Sequence, residues 1–223
     1  AGFGNLKLGI SVQDFHKIFP EKENLAIQFS QDTAGFEKYI RNRLKGHYEI
    51  IEVYHQKSIF FTALCNDLNL SKKVVVKILK PGLHFSIETA ATYLEEILLL
   101  AGIRHKNLVE IVDFGFIDCF PYMSHLYIEG ESLNNYFQNH EATLKNKVDH
   151  FLTICDALEH LHQKLIWHKN LSSGNLIITK EDIPVFLNYG ISKTIKTKTS
   201  VSEYNQKIDL VIVGPEVPLV KGI

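Results

Sequence analysis

The sequence is short of the features that mark several large functional classes. Its 223 residues include three cysteines, one methionine and one tryptophan. Cys65, Cys119 and Cys155 are scattered, odd in number and form no C-x-x-C pair. That excludes a disulfide framework and a structural zinc motif, and the expected setting is a reduced, cytoplasmic one. An excess of either charge is also missing. The 24 Lys and Arg against 25 Asp and Glu leave a net charge of -1, so no electrostatic footprint for nucleic acid or an anionic membrane is present. The longest apolar runs, such as 97-ILLLAGI-103 and 209-DLVIVG-214, are far too short to span a bilayer. The opening AGFGNLKLGI lacks a basic region followed by an apolar stretch, so no secretory signal is expected there. The eleven histidines show no H-E-x-x-H or other paired ligand spacing, and no metal site is expected.

What is there suits an ordinary globular chain: 45% hydrophobic and 22% charged residues, in a length that fits one domain or two small lobes. Residues 1–47 hold one amphipathic candidate helix, 33-TAGFEKYIRNRL-44, with Phe36, Ile40 and Leu44 at i, i+4, i+8. From 48 the pattern turns to strands. 48-YEIIEVYHQKSIFFTALCND-67 reads as two, and 72-KKVVVKILK-80 is strongly β-branched. 87-IETAATYLEEILLLAGI-103 predicts a helix with Leu94, Ile97, Leu98 and Ala101 on one face. Two strands follow, 108-LVEIVDFGFI-117 and 122-YMSHLYI-128, then a short helix within 129–140. A long helix spans 145–164, with Val148, Phe151, Leu152, Cys155 and Leu158 as its apolar stripe, and His160 and His162 on exposed turns. A hairpin over 175–190 turns at Glu181-Asp182, and the polar run 191–205 reads as a mobile loop. No internal repeat is visible. The order is a strand-rich lobe carrying one helix, a hinge and a helical lobe, which argues an α+β fold in two layers.

These segments carry motifs in an order that resembles the protein-kinase family. The resemblance runs from about Tyr48 to about Ser192, and more weakly to Glu216. The V-A-I-K strand lysine of that family corresponds to Lys77 in 74-VVVK-77, and its helix glutamate to Glu96. The two imply an ion pair that holds the ammonium against the α/β-phosphates. The hinge resembles 125-HLYIEGESL-133, with His125 in the gatekeeper position and Tyr127 two residues beyond. The catalytic loop H-R-D-L-x-x-x-N becomes 168-HKNLSSGN-175, and D-F-G becomes 188-NYG-190. By resemblance Lys77, Glu96, His125, Tyr127 and Asn175 are the residues that would touch a nucleotide. Asn175 is either a metal position or an amide that ties the loop together. His168 is expected as a buried ring packing on Tyr189, with Leu100 in the same apolar column. The implied fold is the bilobal kinase one, with 1–47 as an extension, 48–128 as a complete N-lobe and 129–223 as a partial C-lobe.

The departures from the family pattern carry the functional reading. Asn170 stands where the family has the aspartate that accepts the substrate hydroxyl proton. A neutral amide accepts a hydrogen bond but is no general base near neutral pH. Asn188 replaces the D-F-G aspartate that ligates Mg²⁺, a hard dication that prefers anionic oxygen. Ser172 stands where the family often has a lysine. His55, Lys57 and Phe60 fall where three glycines let the backbone approach phosphates, and Val75 replaces the small alanine against the adenine. No catalytic residue and no metal are therefore expected, and no certain cofactor, only ATP or ADP held without Mg²⁺. The expected function is a pseudokinase that regulates or scaffolds a protein partner, with no nucleic acid and no membrane involved. The alternative is a divergent serine/threonine protein kinase with residual ATP-dependent transfer, and a third reading is a structural domain whose cleft is filled by Phe60, Val75 and Tyr189.

Two further expectations concern the C-terminal part. Thr194, Thr197, Thr199, Ser200 and Ser202 lie where kinases carry an activation segment, and 214-GPE-216 stands where the family has A-P-E. The large helical half that follows in the family is not in these residues; a fragment, a natural truncation and an atypical small lobe are all open readings, and residues 1–47 or a partner are candidates to replace that half. Separately, 207-KIDLVIVGPEVPLVKGI-223 resembles the start of the amino-terminal domain of glycinamide ribonucleotide synthetase, which makes Leu210–Val213 a candidate parallel strand.

Overall fold

The computed structural model describes residues 23–54, 59–82 and 85–189. The expectations for His55 and Lys57, for the 191–205 loop with its Ser and Thr positions, and for the 207–223 tail lie outside the described residues.

Five antiparallel strands form the first layer: β1 (Tyr48–Tyr54), β2 (Phe60–Asp67), β3 (Lys72–Leu79), β4 (Ile111–Ile117) and β5 (Phe120–Leu126), in the order β1-β2-β3-β5-β4. β2, β3 and β5 are apolar on both faces and buried on both, as central strands covered on two sides must be. Register fixes which side chains share a face. Thr62, Lys77 and Met123 are cross-strand neighbours, and so are Leu64, Val75 and His125. With a side-chain period of two, these six point one way while Ala63, Val74, Val76 and Ser124 point the other.

The second face is covered by α1 (Glu23–Phe29) and α2 (Thr33–Leu44). The i, i+4, i+8 spacing works as expected: Phe36, Ile40 and Leu44 are all buried, within one cluster that includes Phe29, Phe61, Val74, Val76, Ile78, Phe120 and Tyr122. Asp32 caps α2 by accepting from the Gly35 amide at 2.8 Å. Two side-chain links, Tyr39 to Asp118 at 2.5 Å and Arg43 to Asp118 at 3.0 Å, tie the helix to the β4–β5 turn. α1 and α2 thus back the sheet, and do not stand in for the helical half of a C-lobe.

On the first face lies α3 (Ile87–Ala101), capped by Ser86, whose hydroxyl accepts from the Thr89 amide at 3.1 Å. Its buried face is Ala90, Tyr93, Leu94, Ile97 and Leu100. Leu98 and Ala101, expected inward, are only half-buried; the contact stripe centres instead on Tyr93, Ile97 and Leu100. Below the hinge come β6 (Gly130–Ser132), α4 (Leu133–Asn139), α5 (Leu144–Gln163), a 3₁₀ turn at Ser173–Asn175, β7 (Leu176–Thr179) and β8 (Pro184–Phe186), with strand order β6-β7-β8. A Cβ at Gly130 would lie 2.2 Å from the Ile178 carbonyl oxygen, so β6 pairs this closely with β7 only because position 130 is glycine. The expected hairpin is present, and Asp182 in its turn adopts a left-handed φ of 61°.

α5 corrects the sequence reading. Its buried residues are His150, Ile154, Ala157, Leu158 and Leu161. Val148, Phe151 and Leu152 are exposed, Leu152 by 60%. The helix carries two apolar stripes, and the one inferred from periodicity is mostly the outer one. His160 is half-buried, its ring 4.9 Å from that of His105, while His162 is exposed and packs on Trp167 at 4.6 Å. No helix among the described residues is long and apolar enough to cross a membrane.

Candidate functional site

The cleft side of the sheet meets the 168–175 loop through a chain of side-chain hydrogen bonds. Lys77 projects from β3 toward residue 188 and its ammonium donates to Asn188 Oδ1. Asn188 holds a φ of 55°, a left-handed conformation that asparagine tolerates better than most residues. Its Nδ2 donates to Asn175 Oδ1 at 2.7 Å. Asn175 Nδ2 in turn donates to the Asn170 carbonyl at 2.8 Å and to Ser172 Oγ at 3.0 Å. Each amide is used in both directions, so the chain closes on itself from the strand to the loop. Through these contacts Asn175 ties the loop together.

Glu96 is directed elsewhere. Lys169 from the 168–175 loop reaches it at 2.9 Å, and no ion pair joins Lys77 to Glu96 among the described residues. The expected Lys77–Glu96 pair is therefore replaced by a Lys169–Glu96 pair and a Lys77–Asn188 hydrogen bond. A competing cation takes the carboxylate: Lys169, itself at φ 59°, pairs with Glu96, while a neutral amide at 188 leaves Lys77 an acceptor without a charge. Sequence reasoning missed Lys169 as a site residue. Its signal was the basic residue next to His168, read only as part of a loop motif.

Burial pushes the Lys77 amine down from its usual 10.5 to about 8, because no anion compensates its desolvation. Val75 and His125 are buried beside it. His125 Nδ1 meets the Leu126 carbonyl at 2.9 Å, and its Nε2 has no partner among the described residues. Desolvation, reinforced by the Lys77 charge, lowers His125 to about 3. Tyr127 is partly exposed at the hinge, and its backbone amide donates to the Lys73 carbonyl at 3.0 Å. Phe60 packs on Tyr93 at 5.3 Å, and the Tyr189 hydroxyl donates to the Val109 carbonyl at 2.9 Å. His168 is buried as expected, with its ring 4.6 Å from Phe186 and 6.5 Å from Tyr189, and Leu100 belongs to the same core. Burial lowers His168 to about 4.

Both histidines are neutral in the folded protein, and the unfolded chain takes up protons below about 6.5 that the folded one refuses. Stability is therefore expected to fall as pH drops from about 6.5 toward 4. Urea unfolding across that window tests this. A His168→Leu variant should show a shallower decline, and an equally steep one would mean His168 does not contribute.

The chemical capacity of the site follows from its charges. The two positions that the resemblance gives to a metal offer neutral amides already bonded to each other, and no acidic cluster suited to a metal ion occurs among the described residues. This donor set does not fit Mg²⁺. Asn170 offers an amide where a base would be needed, and its backbone amide donates back to the His168 carbonyl at 2.8 Å. What the arrangement does well is join the strand layer to the loop beneath it.

Comparison with known proteins places this geometry. The family model described as protein tyrosine and serine/threonine kinase matches residues 52–219, and the chain belongs to that family. Among curated relatives, the serine/threonine-protein kinase PrkC of Bacillus subtilis is 26% identical over 161 residues, covering 72% of this chain and 25% of that protein. A probable serine/threonine-protein kinase of Clostridium perfringens is 24% identical over 157 residues, covering 70% of this chain and 23% of that protein. The chain thus spans about a quarter of the length of these relatives. In structure it is similar to PpkA-294 in its apo form, with a TM-score of 0.59 at 19% identity over 67% of this chain and 60% of that one. The kinase domain of Mycobacterium tuberculosis PknI gives 0.55 at 18% identity over 66% and 60%. The fold is kinase-like: an antiparallel-sheet N-lobe with its helices, followed by the part of a C-lobe that the described residues contain.

Proposed function

We propose that this chain is a catalytically inactive kinase-like module that regulates or scaffolds a protein partner in the cytoplasm, and that it binds ATP or ADP weakly or not at all, without Mg²⁺. The observation that carries this reading is the closed chain Lys77–Asn188–Asn175. Phosphoryl transfer needs a free ammonium on the phosphates, anionic ligands on Mg²⁺ and a base at the nucleophile. Here the ammonium is bonded to an amide, the two ligand positions are bonded to each other, and Asn170 replaces the base. Removing a general base alone typically lowers a rate ~10²–10⁴-fold, enough to take a kinase rate of about 1–100 s⁻¹ to a negligible one. The rival reading, a divergent serine/threonine protein kinase, draws support from the names of the relatives and from the retained Lys77.

Thermal unfolding with ATP, ADP or no nucleotide, each with Mg²⁺ and with EDTA, separates the two. A ligand at 100 times its dissociation constant stabilises by ~2.7 kcal/mol, roughly 5–11 °C for a domain of this size. The inactive module predicts no Mg²⁺-dependent rise. It also predicts that Asn170→Asp combined with Asn188→Asp yields no appreciable transfer, since Lys169 still holds Glu96. A Mg²⁺-dependent rise that Lys77→Ala abolishes, with measurable transfer to a protein substrate, would establish the rival.

A further inference from the structure

The outer stripe of α5 has the spacing of a helix–helix contact. Leu144, Val148, Phe151 and Cys155 follow one another at i, i+4, i+7 and i+11, with Leu152 beside them. Alternating steps of four and three are the seam along which two helices pack. Val148, Phe151 and Leu152 are exposed, and Leu144 is 78% exposed. The stripe continues past the end of the helix. His162 follows Cys155 by seven residues on the same face, and the ring of Trp167, 62% exposed, lies 4.6 Å from it. Single apolar residues on a surface need no explanation, but a contiguous line of them marks a contact.

The charges along the seam say what covers it. Lys145 is exposed at its start, and Glu159 is exposed at its end, where it accepts only a long 3.3 Å bond from Gln163. A two-fold contact needs a surface that complements itself, and a seam with opposite charges at its two ends does so when the copies run antiparallel. We propose that α5 pairs with α5 of a second copy of this chain, antiparallel and centred between Phe151 and Leu152. Phe151 then faces Leu152 of the second copy, and Val148 faces Cys155. Lys145 falls within one residue of Glu159 of the second copy, a rise of about 1.5 Å along the axis. The Trp167 end of each copy comes against the Leu144 end of the other. Asp149 and Asp156 lie a quarter turn or more round the helix from the seam, outside the contact. One helix per copy makes a contact at the small end of the range for protein interfaces. The pair therefore opens on dilution, and at the low concentrations of thermal unfolding the stripe is free. The contact is independent of nucleotide and of the cleft.

The test is analytical ultracentrifugation of the full chain from sub-micromolar to hundreds of micromolar. A reversible monomer–dimer equilibrium is expected across that range. Leu152→Asp changes an exposed side chain, so its far-UV circular dichroism and dilute unfolding should match the parent, and it is expected to weaken the dimer at least tenfold. Lys145→Glu and Glu159→Lys, each of which sets like charges together twice by symmetry, are each expected to weaken it by at least about threefold. Combining the two reverses both ends of the seam and is expected to restore the parent affinity. A chain that stays monomeric throughout leaves the seam to a different protein and overturns the proposal. So does a dimer that survives Leu152→Asp, or a double charge variant that associates no better than the single ones.

Discussion

Phe36→Ala is expected to destabilise the protein by about 3–5 kcal/mol, lowering its thermal midpoint by roughly 6–20 °C. Phe36 is 1% exposed and sits at the centre of the contact between α2 and the sheet, 5.0 Å from Phe120 and 6.0 Å from Phe29, edge-on to both. Truncation removes the transfer energy of the ring and leaves a cavity between a helix and a sheet, two rigid elements that collapse poorly onto it. The informative control is Phe151→Ala. Phe151 belongs to the outward stripe of α5 and is 44% exposed, so its loss should change stability by no more than about 0.5 kcal/mol. Thermal unfolding of both variants tests the whole arrangement. A mild Phe36→Ala would mean α2 is an appendage to the kinase-like sheet, and a severe Phe151→Ala would mean the outer stripe is covered.

The second large effect concerns Lys77. Its ammonium is desolvated with only an amide for a partner, and depression from 10.5 to about 8 corresponds to ~3 kcal/mol of destabilisation while both states are charged. The sign follows from proton counts. Below pH 8 folded and unfolded chains both hold the proton, and the penalty is fully present. Between about 8 and 10.5 the unfolded chain binds more protons than the folded one, so raising the pH relieves it. The stability advantage of Lys77→Met over the parent is therefore expected to shrink by ~2–3 kcal/mol between pH 7 and about pH 10.5. Cys65, whose thiol burial raises to about 12, and the buried hydroxyls of Tyr48, Tyr93 and Tyr122 act in the opposite sense at alkaline pH. They are common to both proteins and cancel in the difference. Denaturant unfolding at pH 7, 8.5 and 10 measures it, and parallel profiles would show that Lys77 is solvated.

Local patterning made much of this architecture readable in advance. The period-four apolar residues of 33–44, the β-branched run of 72–80 and the 175–190 hairpin each express one element's own geometry. The amides at 170, 175 and 188 were readable as substitutions within a known motif. Where reading failed, the deciding quantity was a distance between elements. Val148, Phe151 and Leu152 fit a helical stripe as well as His150, Ile154 and Leu161 do, and only the neighbours of α5 choose between them. Lys77 and Lys169 are both cations of the kinase-like motifs, and nothing in their local sequence says which takes Glu96. That Asn188 and Asn175 bond to each other depends on the placement of the chain after β8 against the 3₁₀ turn, a relation that spacing alone does not encode.

The link between Tyr39 and Asp118 spans 79 residues, and that separation bears on how the chain matures during synthesis. At 5–20 residues per second on a ribosome, α2 emerges roughly 4–16 s before the turn that it must dock against. Until β2 and β3 emerge, Phe29, Phe36, Ile40 and Leu44 have no strands to cover, and until the β4–β5 turn follows they lack Phe120. A helix of 12 residues is marginal on its own in water, so this segment waits as a sticky, half-formed strip of nascent chain. The residues that seal the back of the finished sheet are thus exposed apolar surface while it is being made.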